Sequence, residues 1–162
     1  MSRLRDDIDE ATKDAIEYFR KQGVVLDYSI DSLKYIDHYY DMYLSKFVPL
    51  NEEKLALETR SDLFSMGSYL GEVLIRNFHG ATWQIDDHDA NDALNTVLML
   101  PDNSIVWPFE RAMKRFYNGP EDSIYGYGYF LAEKLHQQED ILFTNQGTKR
   151  PAADKKRWWK FW

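Results

Sequence analysis

Apolar residues recur at helical spacing from the start of the chain, where Leu4, Ile8, Ala11, Ala15 and Phe19 fall between Ser2, an N-cap residue, and Gly23, a helix stop. This predicts a first helix. After Val24, Val25 and Leu26 a second begins near Ser29 to Asp31, repeats at Leu33, Ile36, Tyr40, Tyr43, Leu44 and Phe47, and stops at Pro49. From Asn51 to His79 the positions Leu55, Leu63, Met66, Leu70, Leu74 and Phe78 trace one long helix that Gly80 ends, with a kink admissible at Thr59 to Asp62. The period then changes. Ala81 to Ile85, Asn95 to Leu100 and Ser104 to Trp107 are rich in β-branched, aromatic and aliphatic residues, and Pro101-Asp102-Asn103-Ser104 between the last two is turn chemistry. Pro108 opens a fourth helix with Phe109, Ala112, Met113 and Phe116 on one face, closed by Asn118-Gly119-Pro120. A fifth starts near Asp122 and sets Ile124, Leu131 and Leu135 on one face with Gly128, where a neighbouring backbone can come close.

Segregated helices around sequential short strands predict an α+β fold with a small three-stranded antiparallel sheet, covered by the long third helix and the helix from Pro108. No alternating βαβ order is present, so no parallel sheet is expected. Periodicity fades beyond Gln138, which predicts one domain over 1–138 and a linker with a tail over 139–162.

Charge sharpens this division. The 162 residues carry a formal net charge of -7, but residues 149–162, KRPAADKKRWWKFW, hold six Lys/Arg and one Asp. That leaves 14 basic and 26 acidic residues, -12, on the other 148. With 0 Cys there is no disulfide scaffold, thiolate metal site or cysteine nucleophile. The amino terminus alternates charges and lacks the apolar core of a secretory signal, and the longest stretch without Asp, Glu, Lys or Arg is Ser123 to Ala132. A cytoplasmic protein is expected.

The densest polar cluster is Asp86, Asp87, His88, Asp89, Asn91 and Asp92, between the first two strands. Asp87, Asp89 and Asn91 match the alternating ligands that open a calcium loop, but Asp92 stands at the required glycine and Leu98 at the closing glutamate. A solvated acidic loop accounts for the cluster, and no metal or cofactor is expected; a metal-dependent enzyme using this loop is the minority alternative. His38, His79, His88 and His136 include no i, i+4 pair of the zincin type. A Glu72–His79 acid/base pair is conceivable, but Glu72 lies nearly two helical turns from His79 and is expected instead to pair with Arg76 at i+4. Gly67 and Gly71, four apart, are expected to pack closely against a helix or the sheet, since neither a preceding strand nor a GKS/GKT ending marks a phosphate loop. Tyr125-Gly126-Tyr127-Gly128-Tyr129 lacks a third glycine and a preceding strand, so Tyr125 and Tyr129 are read as helix cover or an interaction surface. There is no Gly-x-Ser-x-Gly, so no catalytic residue is assigned.

Leu26-Asp27-Tyr28-Ser29 with Ser32-Leu33 and Asp37, Gly67-Ser68-Tyr69-Leu70-Gly71-Glu72-Val73 with Arg76 and Gly80, and Trp83 followed by strands leading into Trp107-Pro108-Phe109 resemble a group of small uncharacterised bacterial proteins over about residues 26–130. The departure is His79-Gly80, where a glycine-rich stop is expected. Some similar proteins are regarded as immunity-like factors encoded near secreted toxins, and the resemblance transfers no catalytic motif. Together with the -12 on the body, this favours a non-enzymatic protein-binding module that docks a cationic partner such as a toxin, with Asp86, Asp87, Asp89, Asp92, Tyr125 and Tyr129 as candidate contacts; the competing reading is that the acidity only maintains solubility. The alternative is an accessory protein peripheral to the inner membrane through Lys155, Lys156, Arg157, Trp158, Trp159, Lys160, Phe161 and Trp162, which combine interfacial aromatics with charges that anionic headgroups attract. The tail also suits docking on a protein partner or on its own body, while the acidic body opposes nucleic-acid binding.

Overall fold

The computed structural model describes residues 2–45, 52–86, 88 and 93–145. The first helix, α1 (Arg3–Lys21), starts where the Ser2 hydroxyl accepts the Arg5 N–H and buries Ile8, Ala11, Ala15 and Phe19. Its end is a Schellman turn: the Val24 N–H reaches back to the Phe19 carbonyl, and Gly23 takes φ +78, a conformation that costs glycine little. A 3-10 turn at Ile30–Ser32 leads into α2 (Leu33–Ser45), followed by α3 (Glu52–Asn77), the long third helix.

Strands β1 (Thr82–Gln84), β2 (Val97–Met99) and β3 (Ile105–Val106) form an antiparallel sheet in the order β1-β2-β3. Its register aligns Trp83 with Leu98 and Leu98 with Val106, so one buried row crosses all three strands. The Pro101–Ser104 turn is closed by the Leu100 N–H on the Ser104 carbonyl, with Asn103 at φ +63. Helices α4 (Pro108–Asn118) and α5 (Ile124–Asn145) complete the α+β fold.

The buried row packs where the glycine pair predicted a close approach. A Cβ on Gly71 would lie 2.0 Å from the Trp83 indole, and one on Gly67 would lie 2.4 Å from the Phe109 ring. Trp83 and Phe109 stack at 5.5 Å, so α3 and α4 together cover the inner face of the sheet. Gly128 plays the same part for α5, where Leu33 fills the space a Cβ would take. One boundary differs from the sequence reading. α5 stays helical through 139–145, where a linker was expected, because an established helix propagates cheaply into Glu139, Ile141 and Leu142. The tail lies outside the described residues.

Two buried ion pairs tie remote elements. Arg115 of α4 is 1% exposed and donates from Nε to Asp37 Oδ1 at 2.9 Å, and from Nη2 to the Asp37 carbonyl and to Asp41. The Asp37 carboxylate also accepts the Ser123 hydroxyl and the N–H groups of Ile124 and Tyr125, so one α2 side chain caps α5 and neutralises a buried cation. Glu72 of α3, 6% exposed, accepts from Arg5 Nη1 at 2.5 Å and from the Trp83 indole N–H at 2.9 Å.

That arrangement corrects the expected Glu72–Arg76 pair. Glu72 turns into the α1–β1 seam, where charge-assisted bonds to Arg5 and the indole are stronger than an exposed i, i+4 pair. Arg76 instead lays its guanidinium 3.6 Å from the Tyr28 ring centroid. Tyr28 is held at φ +62 by its N–H to the Tyr69 hydroxyl, by Asn77 donating to its carbonyl, and by this stacking. The Leu26–Ser29 and Gly67–Val73 segments thus meet, with the Ser32 and Tyr69 hydroxyls 2.7 Å apart.

Candidate partner-docking face

Alternation along the strands determines what the sheet leaves bare. If Trp83, Leu98 and Val106 point inward, Thr82, Met99 and Ile105, aligned across the strands, point outward together with Gln84 and Val97. Ile105 is 47% exposed and Trp107, just past β3, is 46% exposed, while Val97 and Met99 are half-buried. The result is an apolar outer face with an aromatic residue beside it, the composition of an interaction surface. The acidic connection leaves the sheet at the end of β1. Asp86 is exposed and its carboxylate accepts the His88 N–H. Asp87, Asp89 and Asp92 lie outside the described residues. From Asn77 to Glu110 the chain has no lysine or arginine and six Asp/Glu, so the sheet sits within a purely acidic stretch of sequence.

The other predicted contacts are not brought to this face. Tyr125 and Tyr129 stand 6.4 Å apart on α5, which packs on α2 and the Ile30–Ser32 turn. Lys34 lies 5.4 Å from the Tyr35 centroid and Arg111 4.2 Å from the Tyr127 centroid, and each of these cations is paired in turn, with Asp31 and Asp122. Lys155 to Trp162 lie outside the described residues. Sequence reasoning did not single out Ile105 and Trp107, although alternation within Ser104–Trp107 places both opposite Val106.

The chain matches the family model described as Uncharacterised protein YwmA over residues 6–130. It belongs to the YwmA family. The match spans α1 to the start of α5, so in this YwmA family member both the sheet and the Tyr28–Tyr69 lock fall within the family region. No curated protein and no solved structure matches the chain. Among the described residues, no helix is long and apolar enough to cross a membrane, and no group of three His, Cys, Asp or Glu side chains is placed to hold a metal ion.

A separate cavity of about 300 Å³ opens at the end of α3, lined by His79, Asp102, His136 and Gln138 over Phe78 and Leu135. Glu72, sealed against Arg5 and Trp83, is not among its lining residues, so Glu72 and His79 form no acid/base pair. Asp102 accepts the Ser104 hydroxyl and N–H, and the hydroxyl bond foremost holds its carboxyl below the ordinary aspartate range. A depressed folded value contributes stability above the unfolded value, near 3.9, and that contribution is lost as pH falls through the folded value. Asp102→Asn is therefore expected to flatten the fall in stability below about pH 4, as read by urea unfolding at a series of acid pH values. An unchanged acid slope refutes this assignment.

Proposed function

We propose that the chain is a non-enzymatic, cytosolic binding module that docks a basic segment of a partner protein on the outer face of its sheet, as an immunity-type protein would dock a cationic toxin. The observation that carries this reading is the bare apolar face of Met99, Ile105 and Trp107 set within a stretch free of lysine and arginine. Apolar contact supplies the affinity there, and the acidic excess of the body selects cationic partners and speeds encounter. The interior ion pairs support it too, since Glu72, Asp37 and Arg115 hold elements together beneath the surface.

Photo-crosslinking in the native host tests the proposal. A benzophenone side chain at position 105 is expected to trap one discrete basic protein, and neutralising Asp86, Asp87, Asp89 and Asp92 to asparagine is expected to abolish that product. The same probe at Glu17, exposed on α1, should give no such band. Equal products from both positions, or none from position 105, overturn the reading.

A further inference from the structure

We propose that the chain's own C-terminal segment, residues 149–162, occupies the outer face of the sheet in cis, with its aromatic residues on Met99, Ile105 and Trp107 and its cations drawn by the acidic charge that begins at the exposed Asp86. The proposal rests on reading that face as a docking surface and names its resident occupant. Charge is the first support. The segment KRPAADKKRWWKFW carries +5, while Asn77 to Glu110 carries six Asp/Glu and no lysine or arginine, and among the described residues only Asp102 and Glu110 of the six are ion-paired, with Lys134 and Lys114.

Tethering is the second. Lys134 of α5 lies 3.6 Å from Asp102, and Leu135 and Gln138 line a cavity with Pro101 and Asp102, so the second half of α5 lies against the β2–β3 turn. α5 ends at Asn145, and the 17 residues that follow reach up to about 56 Å when extended, whereas three-residue strands are only about 10 Å long. Reach is not limiting. A short flexible tether gives an effective concentration on the order of 1 mM, at which a contact with a Kd of about 0.1 mM is closed about 90% of the time. The third support is composition: Trp158, Trp159, Phe161 and Trp162 supply rigid anchors for an apolar face that no described element covers. A basic partner must then displace the segment before it docks.

Because the chain has 0 Cys, a single Ala153→Cys substitution takes a nitroxide label without other changes. In the full chain the label is expected to broaden the amide signals of Thr82, Met99, Ile105 and Trp107, and to leave those of α1 and the Tyr125–Tyr129 surface sharp. The effect should persist on dilution. Replacing Trp158, Trp159, Phe161 and Trp162 with serine should restore the strand signals, as should Ile105→Lys at an exposed position. Absent broadening, broadening centred on α5, or broadening that fades on dilution as contact with a second copy would, each overturns the proposal. The measurement involves no partner, so its failure leaves the crosslinking result standing and a failed crosslink leaves this one standing.

Discussion

Asp37→Ala is expected to destabilise the protein by about 3–5 kcal/mol, a large share of the roughly 5–15 kcal/mol typical of a domain. The substitution strands a cation. Arg115 is 1% exposed, and its Nη1 already has no hydrogen-bond partner, so without the Asp37 carboxylate the guanidinium keeps only the backbone carbonyl of position 37 and the Asp41 carboxylate. Asp41 has a half-exposed side chain and is correspondingly screened by water. The same change uncaps α5, because Asp37 accepts the Ile124 and Tyr125 N–H groups and the Ser123 hydroxyl. Arg115→Met is expected to cost less, since it removes the buried charge and leaves Asp37 bonded to α5. Urea unfolding followed by circular dichroism ranks the variants. If Asp37→Ala does not fold, Asp37→Asn provides the comparison, as it keeps the shape and loses the charge. An Arg115→Met protein less stable than Asp37→Asn shows that packing, not charge pairing, dominates the site.

Much of the frame is legible in the sequence because it depends on local chemistry. Helical periodicity places α1 to α4 and the start of α5 within a few residues, Pro101–Ser104 declares its turn, and paired Gly67 and Gly71 announce a close approach. What escapes is long-range. Glu72 has a plausible cation four residues away, yet it bonds Arg5, 67 positions distant, because α1 packs on α3 there. Asp37 and Arg115, 78 positions apart, give no local signal that they will meet. The docking face falls between these cases. Alternation shows that Ile105 and Trp107 oppose Val106, but which side is covered depends on where α3 and α4 settle, and that follows from Gly67 and Gly71. The Asp86 to Asp92 cluster is visible as charge alone; its meaning comes from the bare strands to which it connects.

Gly71→Ala is expected to cost about 2–4 kcal/mol, although alanine gains about 1 kcal/mol over glycine in helix propensity. Sterics decide the sign. The new methyl would sit 2.0 Å from Trp83 Cζ2 and 2.3 Å from Cη2, so the indole or the helix must move. The indole has little room to yield. It is stacked on Phe109 at 5.5 Å, and its N–H is bonded to Glu72, which also holds Arg5 of α1. Displacing Trp83 therefore loosens the seam among α1, α3 and the sheet, with the loss of a hydrogen bond to a charged acceptor, about 1.5–3 kcal/mol, as the main term. The indole N–H resonance of Trp83 should shift with the fall in stability. A smaller ring at position 83 should absorb the methyl, so Gly71→Ala combined with Trp83→Phe is expected to cost less than the two changes summed, by more than about 0.5 kcal/mol. Strict additivity would mean that the methyl is accommodated elsewhere and that Gly71 does not set the distance between α3 and the sheet.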